Sequence, residues 1–526
     1  MMPNNFRSRT DERRLRDGGL RCLLLGIRGA GMTAAAQILQ DAGHEVLGMD
    51  ENLPESETAG HLPRSARRLP WQADAVPSDI DLCVASRAVP ESHPVMVQIQ
   101  STGAEVLSLP AFLARMFHQH RQLCVAGTHG KSTTSAMLTW ILDQCGRHPG
   151  CFVGAHQPGF GFSGRYTSSD CAVIESCEFS RSFVELSPAV AVITGIERDH
   201  FDSFPDEASE NDAFQAFVSR LSSDGVLVWR ANCQRTAAIA RGFHGRSTSF
   251  SIGSDEPRLM PLTLQQSRAT SDRLAVSNQS ESPSHPRLPA QPSEGHAART
   301  VAEPADWEAT DIRLVGLTSS CVLRHGGQVT QLQLNLPGRH NLENAVAAIA
   351  AAAELGIPAG DSCRALQSFR GIQRRFEVRG EYAGVTLVDD YAHHPTAIRS
   401  TLQTARAAFS GKRLVAVIEP HQVIRTRTLF ADFVNALRLA DEVLVLPVFP
   451  AREQATYSEC CRISGQLVKQ LNRLNCKAFL FANLDQIVSR IDHSGKRSDV
   501  LLTMGAGRTN LIHDELNRRL QRHSVA

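Results

Sequence analysis

A glycine-rich turn between an apolar strand and a helix constrains the fold of this chain more than any other sequence feature. The run QLCVAG (122–127) predicts a buried strand, and the apolar residues after it recur at helical spacing until Gly146. The turn THGKST (128–133) puts a lysine and hydroxyls at the helix start, where backbone N–H groups can cradle phosphates. Val125 replaces the first glycine of the common Walker spacing. We predict a variant phosphate-binding loop formed by Gly127, Thr128, His129, Gly130, Lys131, Ser132 and Thr133.

A second glycine turn, GIRGAG (26–31), follows the apolar run CLLLGI near the N-terminus. Glycines at a strand-to-helix turn let the backbone approach a pyrophosphate, and Asp50 closes the next predicted strand, where a ribose-binding acid would stand. Arg28 replaces the middle glycine of the dinucleotide fingerprint. Taken alone, this motif leaves a nicotinamide-dependent dehydrogenase open.

Three regions alternate short apolar strands with helical segments, which predicts an α/β protein of three domains. We place the domains at 21–121, 122–373 and 374–526, after a disordered leader at 1–20. The segment at about 255–305 has few aromatic residues and is rich in serine and proline, so we predict a disordered insertion there.

Acidic residues and a histidine follow the two strands predicted after the phosphate loop. Glu175 and Glu178 come after the first of these strands, and Glu197, Asp199 and His200 come after the second. Because the carboxyl ends of parallel strands meet at one edge of a sheet, we expect these groups to face the loop. Hard oxygen ligands there suit Mg²⁺ bound to a nucleotide.

The last region contributes arginines and histidines. Arg374, Arg375 and Arg425 suit the recognition of phosphoryl or carboxylate groups. The pair His393–His394 invites a zinc interpretation, but the sequence shows no third ligand at a suitable spacing, so we discount it.

Bulk composition excludes several classes of partner. The 55 basic and 54 acidic residues leave a net charge of +1, which gives no basis for nucleic-acid binding. No run is long enough to span a membrane, and the 13 cysteines mostly lie in apolar runs, typical of buried thiols in a reducing compartment. We expect a cytoplasmic protein.

Nine strings in chain order resemble the Mur ligase family. They are GIRGAGM, AGTHGKSTT, ESCEFSRSF, TGIERDHFD, LPGRHNLENA, RRFE, DDYAHHPT, PHQVIRTRTLF and VFPARE. The resemblance spans all of the chain except the leader and the insertion. It implies a Rossmann-like N-terminal domain for a UDP-sugar, a central P-loop ATPase-type domain with a parallel or mixed sheet, and a Rossmann-like C-terminal domain for an amino acid.

The resemblance also implies roles for individual residues. The implied catalytic residues are Lys131, Glu175, His200, Arg375 and His393. ATP would contact the phosphate loop together with Asn344, Arg375 and Asp390, with His340 and Asn341 also beside the adenine. Mg²⁺ would bind Ser132, Glu175 and His200. The UDP-sugar would contact Gly26, Gly29, Ala30, Gly31, Met32, Asp50 and Ser86. The amino acid would lie near His393, Gln422 and Arg425.

The implied reaction joins L-alanine to the lactyl carboxylate of UDP-N-acetylmuramate through an acyl phosphate. Family members that add other amino acids typically use a carbamoylated lysine, but Gln215 stands at that position and no lysine occurs between Lys131 and Lys412. A ligase that recycles a murein tripeptide stays open as an alternative. So does a catalytically impaired relative, because Arg28, Gly195 and Gln422 depart from the family pattern. We expect a monomer or weak homodimer.

Overall fold

The structure is a computed structural model that describes residues 12–51, 66–253, 258–259, 304–494 and 499–525. The predicted disordered insertion at about 255–305 lies outside the described residues, apart from 258–259 and 304–305. Among the described helices, none has the length and apolar character needed to cross a membrane.

The N-terminal domain is a five-stranded parallel sheet in the order β3-β2-β1-β4-β5. Its strands are β1 (Arg21–Leu25), β2 (Glu45–Met49), β3 (Arg67–Arg68), β4 (Leu82–Ala85) and β5 (Glu105–Ser108). Its helices are α1 (Glu12–Asp17), α2 (Ala30–Asp41), α3 (Pro94–Thr102) and α4 (Leu109–Met116), with a 3₁₀ turn at Ala73–Ala75. The strand order reverses between β1 and β4, and ligands bind parallel sheets at such a switch point.

The prediction of a disordered leader over 1–20 is wrong for its described part. Residues Glu12–Asp17 form helix α1, and Leu15 and Leu20 are each only 1% exposed. The His44 ring contacts the carbonyl of Leu15 at 2.8 Å and accepts a hydrogen bond from the Leu20 N–H. A helix this short has too few residues for a periodic signal, so its order comes from tertiary packing.

The central domain is an eleven-stranded mixed sheet in the order β16-β15-β14-β12-β11-β10-β6-β9-β7-β8, with β13 paired to β14. Its strands are β6 (Arg121–Ala126), β7 (Gly150–Gln157), β8 (Phe162–Arg165), β9 (Cys171–Glu175), β10 (Pro188–Ile193), β11 (Val226–Arg230), β12 (Arg246–Ile252), β13 (Arg258–Leu259), β14 (Trp307–Val315), β15 (Thr318–His325) and β16 (Gln328–Leu334). Its helices are α5 (Lys131–Gln144), α6 (Glu207–Val218), α7 (Gln234–Arg241), α8 (Arg339–Ala353) and α9 (Ala359–Leu366), with a 3₁₀ segment at Phe179–Glu185. Strand β6 pairs in parallel with β9 and β10, so the loops after these three strands meet at one edge.

The first two domains share one hydrophobic core, in which side chains of α2 and α4 pack together with apolar residues of the central sheet. Polar contacts fix the same interface, because Oε1 of Gln37 accepts hydrogen bonds from the N–H groups of Ser163 and Gly164 at 2.8 and 2.9 Å. The Tyr166 N–H donates to Asp41 at 3.0 Å. These contacts set the position of the loop after β1 relative to the phosphate loop after β6.

The C-terminal domain is a six-stranded sheet in the order β17-β18-β22-β19-β20-β21, parallel except for the β17–β18 pair. Its strands are β17 (Glu377–Tyr382), β18 (Val385–Asp390), β19 (Arg413–Ile418), β20 (Glu442–Val445), β21 (Lys477–Leu480) and β22 (Asp499–Met504). Its helices are α10 (Pro395–Ala408), α11 (Val423–Thr428), α12 (Phe430–Leu437), α13 (Tyr457–Arg473), α14 (Leu484–Ser494) and α15 (Leu511–Val525). The predicted three-domain α/β architecture is confirmed.

Candidate active site

The phosphate loop joins β6 to α5, as the sequence predicts. Gly127 and Gly130 have φ angles of +124° and +81°, in the region that favours glycine. A Cβ on Gly130 would lie 2.3 Å from Oδ1 of Asn344 on α8, so glycine is also required there by space. The Thr128 N–H donates to the carbonyl of Gly195 at 2.9 Å, which ties the loop to the segment after β10.

Lys131 lies at the start of α5 and forms an ion pair with Glu178. Its Nζ is 2.9 Å from Oε2 of Glu178, and it also donates to the Thr128 carbonyl at 3.3 Å. Burial opposes ionisation of Glu178, but the ammonium of Lys131 and the nearby His200 outweigh it and lower the Glu178 pKa to about 2. The position of Glu178 after a predicted strand does not by itself predict its ion pair with Lys131. The phosphate loop therefore contains an ion pair between Lys131 and a fully buried carboxylate.

Glu175, at the end of β9, contacts both the loop and a neighbouring strand. The Ser132 hydroxyl donates to Oε1 of Glu175 at 2.7 Å, and the Gly154 N–H donates to Oε2 at 2.5 Å. His200 lies near Glu178, with Nε2 at 3.6 Å from Oε1. Burial disfavours a charged His200, but its neighbours Cys177 and Glu178 favour the charged form and raise its pKa to about 10. Of the predicted metal ligands, Ser132 and Glu175 are hydrogen-bonded to each other, whereas His200 lies with Cys177 and Glu178.

The glycine loop of the N-terminal domain follows β1 at the switch point. Gly26 has φ +79°, and a Cβ there would lie 3.0 Å from Cβ of Ser86, which follows β4. The Arg28 N–H donates to Oδ2 of Asp50 at 3.0 Å, so Asp50 holds the loop, and the replacement of a glycine by Arg28 leaves this turn formed.

A cavity of about 280 Å³ extends from the N-terminal glycine loop to Glu175 and the segment after β9. Its N-terminal wall contains four of the residues predicted to bind the UDP-sugar, and its central wall contains Glu175 and the exposed Cys177. The four are Gly29, Gly31, Met32 and Ser86. A ligand held by the N-terminal loop can therefore extend to the carboxylate beside the phosphate loop.

The residues predicted to lie beside the adenine occupy the N-terminal half of α8, together with a neighbour from α10. His340 accepts or donates a hydrogen bond with the Ser400 hydroxyl at 3.0 Å, and burial together with Arg375 lowers its pKa to about 4. The Asn341 amide donates to the Pro337 carbonyl at 2.7 Å, so it serves the helix start. Asn344 also lies on α8, and its side chain is the one in this group that contacts the phosphate loop, at Gly130.

Asp390 and Arg375 lie where the C-terminal domain meets α8. Asp390 accepts hydrogen bonds from the Phe376 and Ala392 N–H groups at 3.1 and 2.9 Å and from the Thr401 hydroxyl at 3.0 Å. These bonds within the domain show a structural role for its carboxylate. The Arg375 guanidinium lies 5.1 Å from the ring centre of Tyr391.

Arg425, predicted to bind the amino acid, is engaged by Asp199. Its Nη2 and Nε donate to Oδ1 of Asp199 at 2.6 and 2.8 Å, and its Nη1 donates to the His421 carbonyl at 3.1 Å. Burial opposes ionisation of Asp199, yet Arg425 holds the Asp199 pKa far below its usual range. His393 is half-buried here, with Nδ1 2.8 Å from the Tyr391 carbonyl. Gln422 is 1% exposed, and neither side-chain polar atom has a hydrogen-bond partner among the described residues.

A second polar cluster joins the phosphate loop to α10. His129 lies 3.3 Å from Oε2 of Glu197, which also accepts a hydrogen bond from the Thr396 hydroxyl at 2.6 Å. His394 lies 3.9 Å from the same carboxylate oxygen. The sequence spacing offers no third ligand for the His393–His394 pair. The fold, however, brings two possible metal ligands to His394, namely Glu197 and His129, which lie 197 and 265 residues earlier in the chain.

The fold and the site define a three-domain α/β protein with a P-loop-type turn at the start of α5. Three consecutive segments match Mur ligase domains: residues 23–121 match "Mur ligase family, catalytic domain", 125–291 match "Mur ligase middle domain", and 374–507 match "Mur ligase, glutamate ligase domain". The chain belongs to the Mur ligase family.

Similar curated proteins extend the match over nearly the whole chain. The UDP-N-acetylmuramate–L-alanine ligase of Roseiflexus sp. is 33% identical over 92% of this chain and 96% of its own length. That of Mycobacterium marinum is 32% identical over 94% of this chain and 93% of its own length.

Two solved structures share the fold. The UDP-N-acetylmuramate-alanine ligase of Thermotoga maritima superposes with a TM-score of 0.74 at 22% identity, covering 96% of this chain and all of that one. A murein peptide ligase of Psychrobacter arcticus gives 0.66 at 23% identity, covering 95% of this chain and 98% of that one.

Proposed function

We propose that this protein is an ATP-dependent ligase that joins L-alanine to the lactyl carboxylate of UDP-N-acetylmuramate through an acyl phosphate. The observation that carries the proposal is the cavity that joins the N-terminal glycine loop to Glu175 beside the phosphate loop. It gives a UDP-sugar bound at the first domain a path to a nucleotide bound at the second. The names of the curated relatives support this substrate pair.

The donor set beside the loop fits Mg²⁺. The Ser132 hydroxyl in the first turn of α5 donates to Glu175 at the end of β9, and His200 lies in the segment after β10. Ser132, Glu175 and His200 would hold the ion, which would neutralise phosphate charge when bound. The division into a UDP-sugar domain at 21–121, an ATP domain at 122–373 and an amino-acid domain at 374–526 belongs to the same proposal.

The protein's own groups stabilise the negative charge that builds on oxygen during the reaction. A carboxylate is a poor electrophile, so ATP first phosphorylates it, and the alanine amine then attacks the acyl phosphate and releases phosphate. Incoming phosphates compete with Glu178 for the Lys131 ammonium, which lies at the loop as a preorganised cation. The buried Gln422 and the half-buried His393 would face the amino acid near α11, while Arg425 would act by holding Asp199.

The proposal includes a cytoplasmic enzyme that acts as a monomer or weak homodimer. Its test is release of inorganic phosphate from ATP with UDP-N-acetylmuramate and each amino acid or peptide in turn. We expect release to require the UDP-sugar and to be fastest with L-alanine. Equal or faster turnover with the murein tripeptide would move the assignment to a recycling ligase, and no turnover with any acceptor would support a catalytically impaired relative.

A further inference from the structure

Three ligand-type side chains from two domains meet beside the phosphate loop. They are His129 of the loop, Glu197 after β10 and His394 at the start of α10, and their ligand atoms lie within 4.8 Å of one another. None belongs to the Ser132–Glu175–His200 set. Two imidazoles and one carboxylate form a donor set typical of zinc sites that keep one coordination position open.

The spacing matches what a tetrahedral zinc ion needs. Bonds of 2.0–2.1 Å at tetrahedral angles place ligand atoms about 3.3 Å apart. Nε2 of His129 is 3.3 Å from Oε2 of Glu197, and Nδ1 of His394 is 3.9 Å from the same atom. The third pair of ligand atoms, between the two histidines, lies within 4.8 Å, so a small inward movement of His394 would bring the set toward this spacing.

Outer contacts already orient two of the three ligands. Nε2 of His394 lies 3.2 Å from the Arg198 carbonyl, an acceptor only, so this nitrogen carries the proton and leaves the Nδ1 lone pair for a metal. The Thr396 hydroxyl donates to Oε2 of Glu197 at 2.6 Å. At present Nδ1 of His394 accepts a long hydrogen bond, 3.3 Å, from the Thr396 N–H, which an ion would replace.

We propose that His129, Glu197 and His394 form a binding site for a zinc-type divalent cation, with the fourth position open to water or a phosphate oxygen. Because His129 lies in the phosphate loop and His394 begins α10, the bound ion joins the central domain to the C-terminal domain. Imidazole ligands favour zinc over magnesium, and this site has two imidazoles where the Ser132–Glu175–His200 set has one.

A second cluster complicates any zinc measurement, because Cys177, Glu178 and His200 also lie within 4.8 Å of one another. The test therefore uses the full-length chain carrying Cys177→Ser, stripped with a chelator and titrated with Zn²⁺ against a chromophoric competitor. We expect one zinc per chain in excess Mg²⁺. We expect His394→Gln to weaken zinc binding more than about 100-fold. Loss of a residue that only hydrogen-bonds a metal ligand typically weakens binding about 10–100-fold. The matched control is His244→Gln, an exposed histidine outside the cluster.

Thr396→Val keeps all three ligands and removes only the hydroxyl that orients Glu197, so it serves if a ligand variant fails to fold. It should weaken zinc binding about 10-fold. Co²⁺ bound to the Cys177→Ser chain should give a nitrogen–oxygen spectrum with no thiolate charge-transfer band. Loss of all zinc binding in Cys177→Ser, or zinc binding by that chain that His394→Gln leaves unchanged, would overturn the proposal.

Discussion

Arg425 and Asp199 form a buried ion pair between two domains, with Nη2 of Arg425 2.6 Å from Oδ1 of Asp199. The two side chains are only 2% and 6% exposed, and 226 residues separate them. The pair fixes α11 against the segment after β10, where His200 also lies. Breaking one side of such a pair leaves an unpaired charge away from water, which is costly.

We therefore expect Asp199→Asn to destabilise the protein by about 3–5 kcal/mol and to reduce turnover. Arg425 would keep its charge and lose its carboxylate partner. The matched control at the same domain interface is Asp202→Asn, which removes the ion pair to the half-exposed Arg452 and should cost less than about 1 kcal/mol. Urea unfolding of both variants is the measurement. Equal losses of unfolding free energy in the two variants would show that the buried Asp199–Arg425 pair stabilises the protein no more than the half-exposed Asp202–Arg452 pair.

Lys131→Ala should lower the rate of ADP formation about 10²-fold or more, because it removes the cation preorganised at the loop. UDP-sugar binding should stay near normal, since the residues proposed for it lie on the first domain. Steady-state ADP release and calorimetric UDP-sugar binding separate the two effects. Lys412→Ala, which removes a lysine bonded to Thr386 in the third domain, is the control and should leave the rate unchanged. Near-normal turnover in Lys131→Ala would place the nucleotide elsewhere.

Buried histidines make the protein sensitive to acid. Burial, assisted by the charge of Arg379, lowers the pKa of His513 to about 4, against 6.5 in an unfolded chain. Between these values the unfolded state binds a proton that the folded state does not. Stability therefore falls as pH falls, by up to about 1.4 kcal/mol per pH unit for this group.

Replacing His513 isolates that contribution from the active site. His513 is 0% exposed and contacts the Thr503 hydroxyl at 2.6 Å, in the core of the C-terminal domain. We expect the melting temperature of His513→Gln to fall less than that of the wild type between pH 7 and pH 5. The difference should correspond to about 2 kcal/mol at pH 5. His244→Gln, an exposed control, should follow the wild type; parallel curves for His513→Gln would refute the assigned shift.

The sequence predicted the parts of the site that lie close together along the chain. The phosphate loop, the strand-end Glu175 and the loop after β1 each depend on a local strand–turn–helix pattern, and the structure places them at one junction. The partners of these groups could not be predicted in the same way. The pairing of Asp199 with Arg425 and the approach of His394 to Glu197 depend on how whole domains pack, which no local periodicity encodes.

Gln422 carries two buried polar atoms that lack hydrogen-bond partners among the described residues. Unsatisfied buried polar groups cost about 1–3 kcal/mol each, so they persist where function uses them. Gln422→Met keeps the size and removes both polar atoms. We expect it to raise the melting temperature and to raise the KM for L-alanine about tenfold, with the KM for ATP unchanged. A higher melting temperature with an unchanged alanine KM would show that Gln422 does not contact the substrate.

Gly195 and the Arg230 side chain are neighbours next to the phosphate loop. Gly195 has φ +146°, and a Cβ there would lie 3.3 Å from Nη1 of Arg230. Arg230 is held in place by an ion pair of 2.8 Å to Glu343, the residue before Asn344 on α8. Family members typically have asparagine at this position. The glycine of this chain leaves space that the Arg230 guanidinium occupies.

We expect Gly195→Asn to destabilise the protein by about 1–3 kcal/mol through backbone strain and crowding. It should also raise the KM for ATP, because the Gly195 carbonyl accepts the hydrogen bond from Thr128 in the phosphate loop.

Gly195→Ala is the control that carries the same backbone strain with a smaller side chain. Arg230→Lys keeps a positive charge near Glu343 while removing Nη1, so it should relieve the crowding part in the double variant. A double-mutant cycle on the melting temperature and the ATP KM measures this coupling. Strictly additive effects would show that Arg230 and residue 195 do not share the space.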